Sequence, residues 1–260
     1  MSIAMTINPI LIAAAVVPAI ILLVRVYKAD RLDREPKGLL LSLVLFGILS
    51  TGIAAVLELL GTHLLSRFLE EGSILYNLIL YFVIVACSEE GAKYLLLRVR
   101  TWRSRHFNCQ FDGVVYAVFV SLGFALWENI GYVVQNQHGL ATALARAVTA
   151  VPGHACFGVF MGVFYGAAKR FEGMRLPHLS KRWRRLSLLF PVLLHGTYDF
   201  IATVSAKSAG LIFLAFILVM FSVCFRLVKR ASAGDQYITQ PANSDMPRLV
   251  PFDPDTPDSF

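Results

Sequence analysis

Long apolar runs separated by short polar gaps dominate the chain. Seven runs stand out, at about 7–27, 38–62, 74–98, 111–134, 142–169, 186–206 and 208–229. Each is close to the roughly 20 helical residues needed to cross about 30 Å of hydrocarbon. The pattern predicts an all-α, polytopic membrane helix bundle with about seven transmembrane helices. The sixth and seventh runs nearly fuse at Ala206, Lys207 and Ser208, so a tight hairpin is expected there. The first run is followed, not preceded, by the basic residues Arg25, Lys28 and Arg31. A cleavable leader has the opposite order, so this run reads as a membrane helix.

Composition agrees with the pattern. Of 260 residues, 57% are hydrophobic and only 16% charged, whereas soluble domains are nearer half apolar and a quarter charged. The mean hydropathy is +0.63. The net charge of +7 does not point to nucleic acid, because the basic residues sit in the gaps between runs. Stretches 25–37, 98–105 and 169–185, together with the segment after the last run, hold twenty of the 24 Lys and Arg residues. The alternate gaps hold only Arg67, Arg146 and Lys207. The positive-inside rule then places the N-terminus outside and the C-terminus in the cytoplasm. The four cysteines form no CxxC pair and read as small core hydrophobes. Residues 1–230 form one integral membrane domain in this reading. From Ala231 the chain turns polar and proline-rich, which predicts a disordered cytoplasmic tail over 231–260.

The informative residues are the charged groups inside the apolar runs. A charge at the bilayer centre costs at least about 2.5 kcal/mol, so such groups face the bundle interior and mark function by default. The third run carries Glu89, Glu90 and Lys93; the fourth carries Glu128; the fifth carries His154; the sixth carries His195 and Asp199. Lys93 lies one helical turn from both Glu89 and Glu90, while the two glutamates point about 100° apart. That spacing suggests that one glutamate does chemistry and the other anchors a helix, with Lys93 structural. His195 and Asp199, four residues apart, share a face. Gly158, Gly162 and Gly166 continue from His154 at four-residue spacing, a small-residue stripe for close helix packing. Pro152 and Gly153 should loosen the backbone before His154, and Pro191 should kink the helix before His195. Glu58 and His63 read as interfacial, and Asp112 as a helix cap.

A carboxylate with two imidazoles can activate water: the acid takes a proton, and the histidines hold a metal or stabilise an oxyanion. The same acids could instead form the relay of a proton-coupled membrane transporter. Residue types and spacing leave both readings open.

Four motifs in order, each on its own predicted helix, sharpen the choice. SEEGAK (Ser88–Lys93), FDGVVYAVFVSLGFALWENIGY (Phe111–Tyr132), HACFGVFMG (His154–Gly162) and LLHGTYDF (Leu193–Phe200) resemble the PrsW family of intramembrane proteases, relatives of the CAAX-protease and bacteriocin-processing group. The earlier DREP (Asp33–Pro36) also matches, and the resemblance spans about residues 30–225. It implies a peptidase of the cell membrane, in a bacterium the inner membrane, that cleaves membrane-protein substrates, among them anti-sigma factors. It assigns catalytic roles to Glu89, Glu90, Glu128, His154 and His195. If a metal such as zinc or another divalent ion takes part, it implies Glu128, His154, His195 and Asp199 as ligands. Related CAAX enzymes resemble metal-free glutamate proteases, so the resemblance leaves the metal open. The partners it implies are the substrate and the lipid bilayer.

Overall fold

The computed structural model describes residues 9–134, 139–203 and 209–238. The described residues form α1 (Pro9–Ala29), α2 (Lys37–Leu65), α3 (Ile74–Leu78), a π-helical segment (Ile79–Val85), α4 (Ala86–Thr101), α5 (Asp112–Val134), α6 (Gly139–Val148), α7 (Ala150–Gly173), α8 (Pro177–Thr203) and α9 (Ala209–Ala233). Two spans are composite. Ile74–Thr101 joins α3, the π segment and α4, and Ala143–Gly173 joins α6 and α7. Seven helices are therefore long and apolar enough to cross a membrane, the number the apolar runs predict. The expected hairpin at Ala206–Ser208 lies outside the described residues.

Helix α5 is the centre of the bundle. Of its span Asp112–Tyr132, 78% is buried, against 17% for α1 and α9. It packs against α7, α2 and α1. The outer helices present large aliphatic side chains outward, among them Leu45, Leu49, Leu59, Leu214 and Leu218. In a bilayer that exposure costs nothing, because lipid tails are as apolar as leucine. Small residues make the central contact. A Cβ on Gly162 would meet the backbone of Gly113 and Val114, and one on Gly166 would meet the Gln110 carbonyl. The glycine stripe of α7 is the seam against α5, as its spacing predicts.

Three local features depart from the sequence pattern. The fifth run is two helices, broken at Thr149 (φ −118°, ψ −61°), just ahead of Pro152. Pro152 then sits in the first turn of α7, where a missing N–H is tolerated. The sixth run begins earlier than its apolar part, because the basic stretch from Pro177 is already helical. Pro191, expected to kink this helix, lies inside it.

The third departure is at the C-terminal end. Residues 231–238 are ordered: α9 reaches Ala233, and Cys109 and Tyr237 form an antiparallel bridge. Gln110 N donates to the Gln236 carbonyl at 3.0 Å and Ile238 N to the Asn108 carbonyl at 2.7 Å. Asp235 Oδ1 accepts from Phe111 N at 2.8 Å, capping the start of α5. Residues 231–238 thus pack on the bundle, and the rest of the expected tail, 239–260, lies outside the described residues.

Candidate active site

The intramembrane charged residues converge. Helix α4 supplies Glu89, Glu90 and Lys93, α5 supplies Glu128, α7 supplies His154, and α8 supplies His195 and Asp199. The π-helical segment runs directly into α4, shifting the helical register just ahead of the paired glutamates. Such segments recur at functional sites. The ring of Phe82, in that segment, occupies the space beside Gly196, which brings α8 close enough for His195 to reach α4.

Lys93 is the hub. Its Nζ donates to Glu89 Oε2 at 3.1 Å and Glu90 Oε1 at 2.7 Å, and to His154 Nδ1 at 3.1 Å. These three acceptors use all three ammonium donors. With Nδ1 an acceptor, His154 carries its proton on Nε2, which faces Glu128 Oε2 at 3.0 Å. Lys93 also lies 3.8 Å from the centre of the Phe124 ring, a cation–π contact. Lys93 and Glu90 are fully buried. The i+3 and i+4 geometry explains how both glutamates reach one cation despite their different directions on the helix. Neither faces away, contrary to the separation their 100° offset suggests.

His195 is held between acids. Its Nδ1 lies 3.0 Å from Glu90 Oε1, and its Nε2 lies 3.3 Å from Asp199 Oδ2 and 3.9 Å from Glu89 Oε2. Phe157 stacks on the imidazole, with centroids 4.7 Å apart and planes at 20°. The two imidazoles meet edge to face at 5.4 Å. Every residue expected at the site therefore belongs to one connected network.

The donor atoms that crowd together are not the expected quartet. Glu89, Glu90 and His154 each bring a ligand atom within 4.8 Å of the others. Among the described residues, Glu128, His154, His195 and Asp199 form no such group. Glu128 pairs with His154 and Asp199 with His195, while Lys93 and the paired glutamates lie between them. Two carboxylates and an imidazole are ordinary ligands for zinc and similar divalent ions. Glu90 Oε2, buried and without a hydrogen-bond partner, is a further free acceptor. The donor set thus fits a metal in type and number, provided that the Lys93 ammonium withdraws from the same three atoms.

Two participants escape the sequence reading. Arg146 of α6 places NH2 2.9 Å from Glu128 Oε2 and donates from Nε to Asn129 Oδ1 at 2.9 Å. It lies beside a loop and reads as a flanking charge until the break at Thr149 folds α6 back over the site. Glu58, which reads as interfacial, interacts electrostatically with Glu89, Glu128, His195 and Lys93. An acid within the second apolar run, four residues from its end, was the available signal. Asn129 is buried beside Glu128.

Comparison with known proteins gives a consistent result. A model of the family described as PrsW family intramembrane metalloprotease matches residues 35–227. The chain is similar to Protease PrsW of Halalkalibacterium halodurans, with 34% identity over 87% of this chain and 99% of that protein. It is similar to Protease PrsW of Bacillus subtilis, with 36% identity over 74% of this chain and 83% of the other. It is also similar to Protease PrsW of Geobacillus kaustophilus, with 34% identity over 85% and 92% of the two chains. No solved structure is similar to the chain.

Proposed function

The chain belongs to the PrsW family of intramembrane metalloproteases, and from that premise we propose that it hydrolyses peptide bonds of single-pass membrane proteins with Glu89 as the general base. Accessibility within the Glu–Lys–His network carries this assignment. Glu90 is fully buried and its Oε1 serves both Lys93 and His195. Glu89 is 7% exposed, and among the described residues only its Oε2 is engaged. Its Oε1 is free to take a proton from water.

The chain's own groups then divide the work. Glu89 accepts the proton of a water aligned on the scissile carbonyl. His195 Nε2, 3.9 Å from Glu89, is placed to donate to the oxyanion or to the leaving nitrogen. Glu90 fixes the His195 ring through Nδ1, and Asp199 steadies its other edge. Glu128 and Arg146 hold His154 against Lys93. A divalent ion, when bound, would be held by Glu89, Glu90 and His154 and would supply Lewis acidity and a more acidic water. The distribution of basic loops supports an N-terminus outside and a C-terminus in the cytoplasm. Membrane-anchored anti-sigma factors, the substrates implied by the resemblance, are the first to try.

The test is cleavage of co-reconstituted single-pass membrane proteins. Glu89→Ala should lower cleavage by about 10²- to 10⁴-fold, the usual contribution of a general base, with thermal unfolding showing that the variant is folded. Sensitivity to a chelator would support the metal. Cleavage that survives both Glu89→Ala and Glu90→Ala rules out this mechanism. A pH-driven solute flux with no cleavage would favour the transporter reading.

A further inference from the structure

A cavity of about 650 Å³ opens between α1, α5, α7 and α9, and none of the charged residues of the acid–imidazole network lines it. Its walls are apolar, with Leu22, Val118, Val159 and Phe221 on the four helices. Its charged lining consists of Arg25, Arg31 and Lys229, and no carboxylate lines it. All three are exposed. Among the described residues none of them forms an ion pair, whereas the buried cations of the active site are each matched to acids. Arg25 and Lys229 lie near the C-terminal ends of α1 and α9, and Arg31 follows α1 directly. The positive groups therefore gather where the bundle ends on the side of the basic loops.

We propose that this groove binds one anionic phospholipid, with an acyl chain between the helices and its phosphate on Arg25, Arg31 and Lys229. The dimensions suit that occupant. The lining residues on α9 run from Phe221 to Ala233, about 18 Å of helix at 1.5 Å per residue. That is close to half of the roughly 30 Å hydrocarbon thickness, the depth of one leaflet. The chemistry suits it too. An apolar slot in hydrocarbon gains little from one tail over another, so selectivity must come from the rim. Two guanidinium groups and an ammonium with no acidic neighbour in the slot are a phosphate receptor. Basic pockets between membrane helices take anionic headgroups for this reason. The far end of the groove touches Pro152, Ala155 and Cys156, within two residues of His154. The acyl chain would therefore support the helix that carries a site histidine from behind.

The experiment uses the full chain, delipidated in neutral detergent. Phosphatidylglycerol and phosphatidylcholine with identical acyl chains are added in turn, and bound lipid and thermal midpoint are read. Phosphatidylglycerol should bind about tenfold or more tighter, because each basic group at the rim adds to the attraction for an anionic headgroup, and should raise the midpoint further. Arg25→Gln, Arg31→Gln and Lys229→Gln combined should remove the preference while the lipid-free midpoint stays within a few degrees. Inorganic phosphate alone should do nothing, since the acyl chain supplies the rest of the contact. Equal binding of the two lipids, a preference that survives in the triple variant, or phosphate reproducing the effect would each overturn the proposal. It would also fall if phosphatidylglycerol bound only after Asp245, Asp253, Asp255 and Asp258 were changed to Asn, because the rim would then belong to the chain's own acidic tail.

Discussion

Two clusters of carboxyl groups lie toward opposite ends of α5 (Asp112–Val134), with Asp112 and Glu128 about 24 Å apart along its axis. Both are buried, but they are stabilised differently. At the Glu128 end, Glu89, Glu90 and Glu128 each face a cation or an imidazole within 3.1 Å. At the Asp112 end, Asp30, Glu35, Asp112 and Asp235 form no ion pair among the described residues. They are held by neutral donors instead. Tyr116 OH donates to Glu35 Oε1 at 2.6 Å, and the amides of Asn108 and Cys109 donate to Asp112 Oδ2. Each of these four carboxyl groups keeps one buried oxygen without a partner. Burial pushes Glu35 up to about 7 and Asp30 up to about 6. The first cluster sets each of its acids against a cation or an imidazole. The second fastens three loops together with acids that are easily neutralised.

The largest effect that would break this contrast is removal of the cation at the hub. Lys93→Met keeps the volume but leaves Glu89 and Glu90 side by side, with His154 losing its donor. Truncating one partner of a buried ion pair costs about 3–5 kcal/mol, so the thermal midpoint in detergent should fall by ten degrees or more. A midpoint unchanged within two degrees would show that the acids do not depend on Lys93. The active-site cluster would then resemble the loop cluster in how it tolerates buried acid.

Most of the first cluster was legible in the sequence. Glu89, Glu90, Glu128, His154, His195 and Asp199 interrupt runs that are otherwise apolar, and in a membrane any such interruption is conspicuous. The number of spans was legible for the same reason, since hydropathy is a local property. The second cluster was much less so. Asp30, Glu35 and Asp235 lie in polar gaps where acids are commonplace, and only the tertiary fold brings 30–35, 108–112 and 235–238 together. That non-local docking also ties residues 235–238 to the 108–111 loop. Arg146 was hidden similarly: Pro152 and Gly153 marked a loosened backbone near the break at Thr149, but not which way α6 would turn from it. Which donors crowd together, Glu89 and Glu90 with His154, depends on side-chain reach across helices, and spacing along one helix does not fix that.

The two clusters share one mechanical link, the α5–α7 seam. Gly162→Ala adds a Cβ that meets the Val114 backbone and the Gly113 carbonyl, neither of which can swing away. Overpacking of this kind costs about 1–3 kcal/mol. Displacement of α7 should also misplace His154, eight residues nearer its start. Cleavage should therefore drop by more than the loss of folded protein accounts for. A loss of activity that only tracks the folded fraction would mean that the seam stabilises the bundle without positioning the site.

The smallest expected effect tests the loop cluster itself. A carboxyl group whose folded value is raised from 4.5 to about 7 favours the neutral form in the native state. Its contribution is fully present below about pH 4.5, declines as pH rises, and has become a cost above pH 7, because the ion must then be kept in a desolvated place. Glu35→Gln stays neutral throughout and still offers an oxygen to Tyr116. The shift sets an upper limit of about 3 kcal/mol; with the screening that water reaching the loop provides, the variant should match wild type near pH 4.5 and exceed it by about 1 kcal/mol at pH 8, a rise of roughly 2–4 °C for a chain of this size. The check is a pair of thermal melts in detergent at the two pH values. If Glu35→Gln were the less stable form at pH 8, Glu35 would be held as an anion by a cation it does not touch in this structure. Both ends of α5 would then rely on charge compensation.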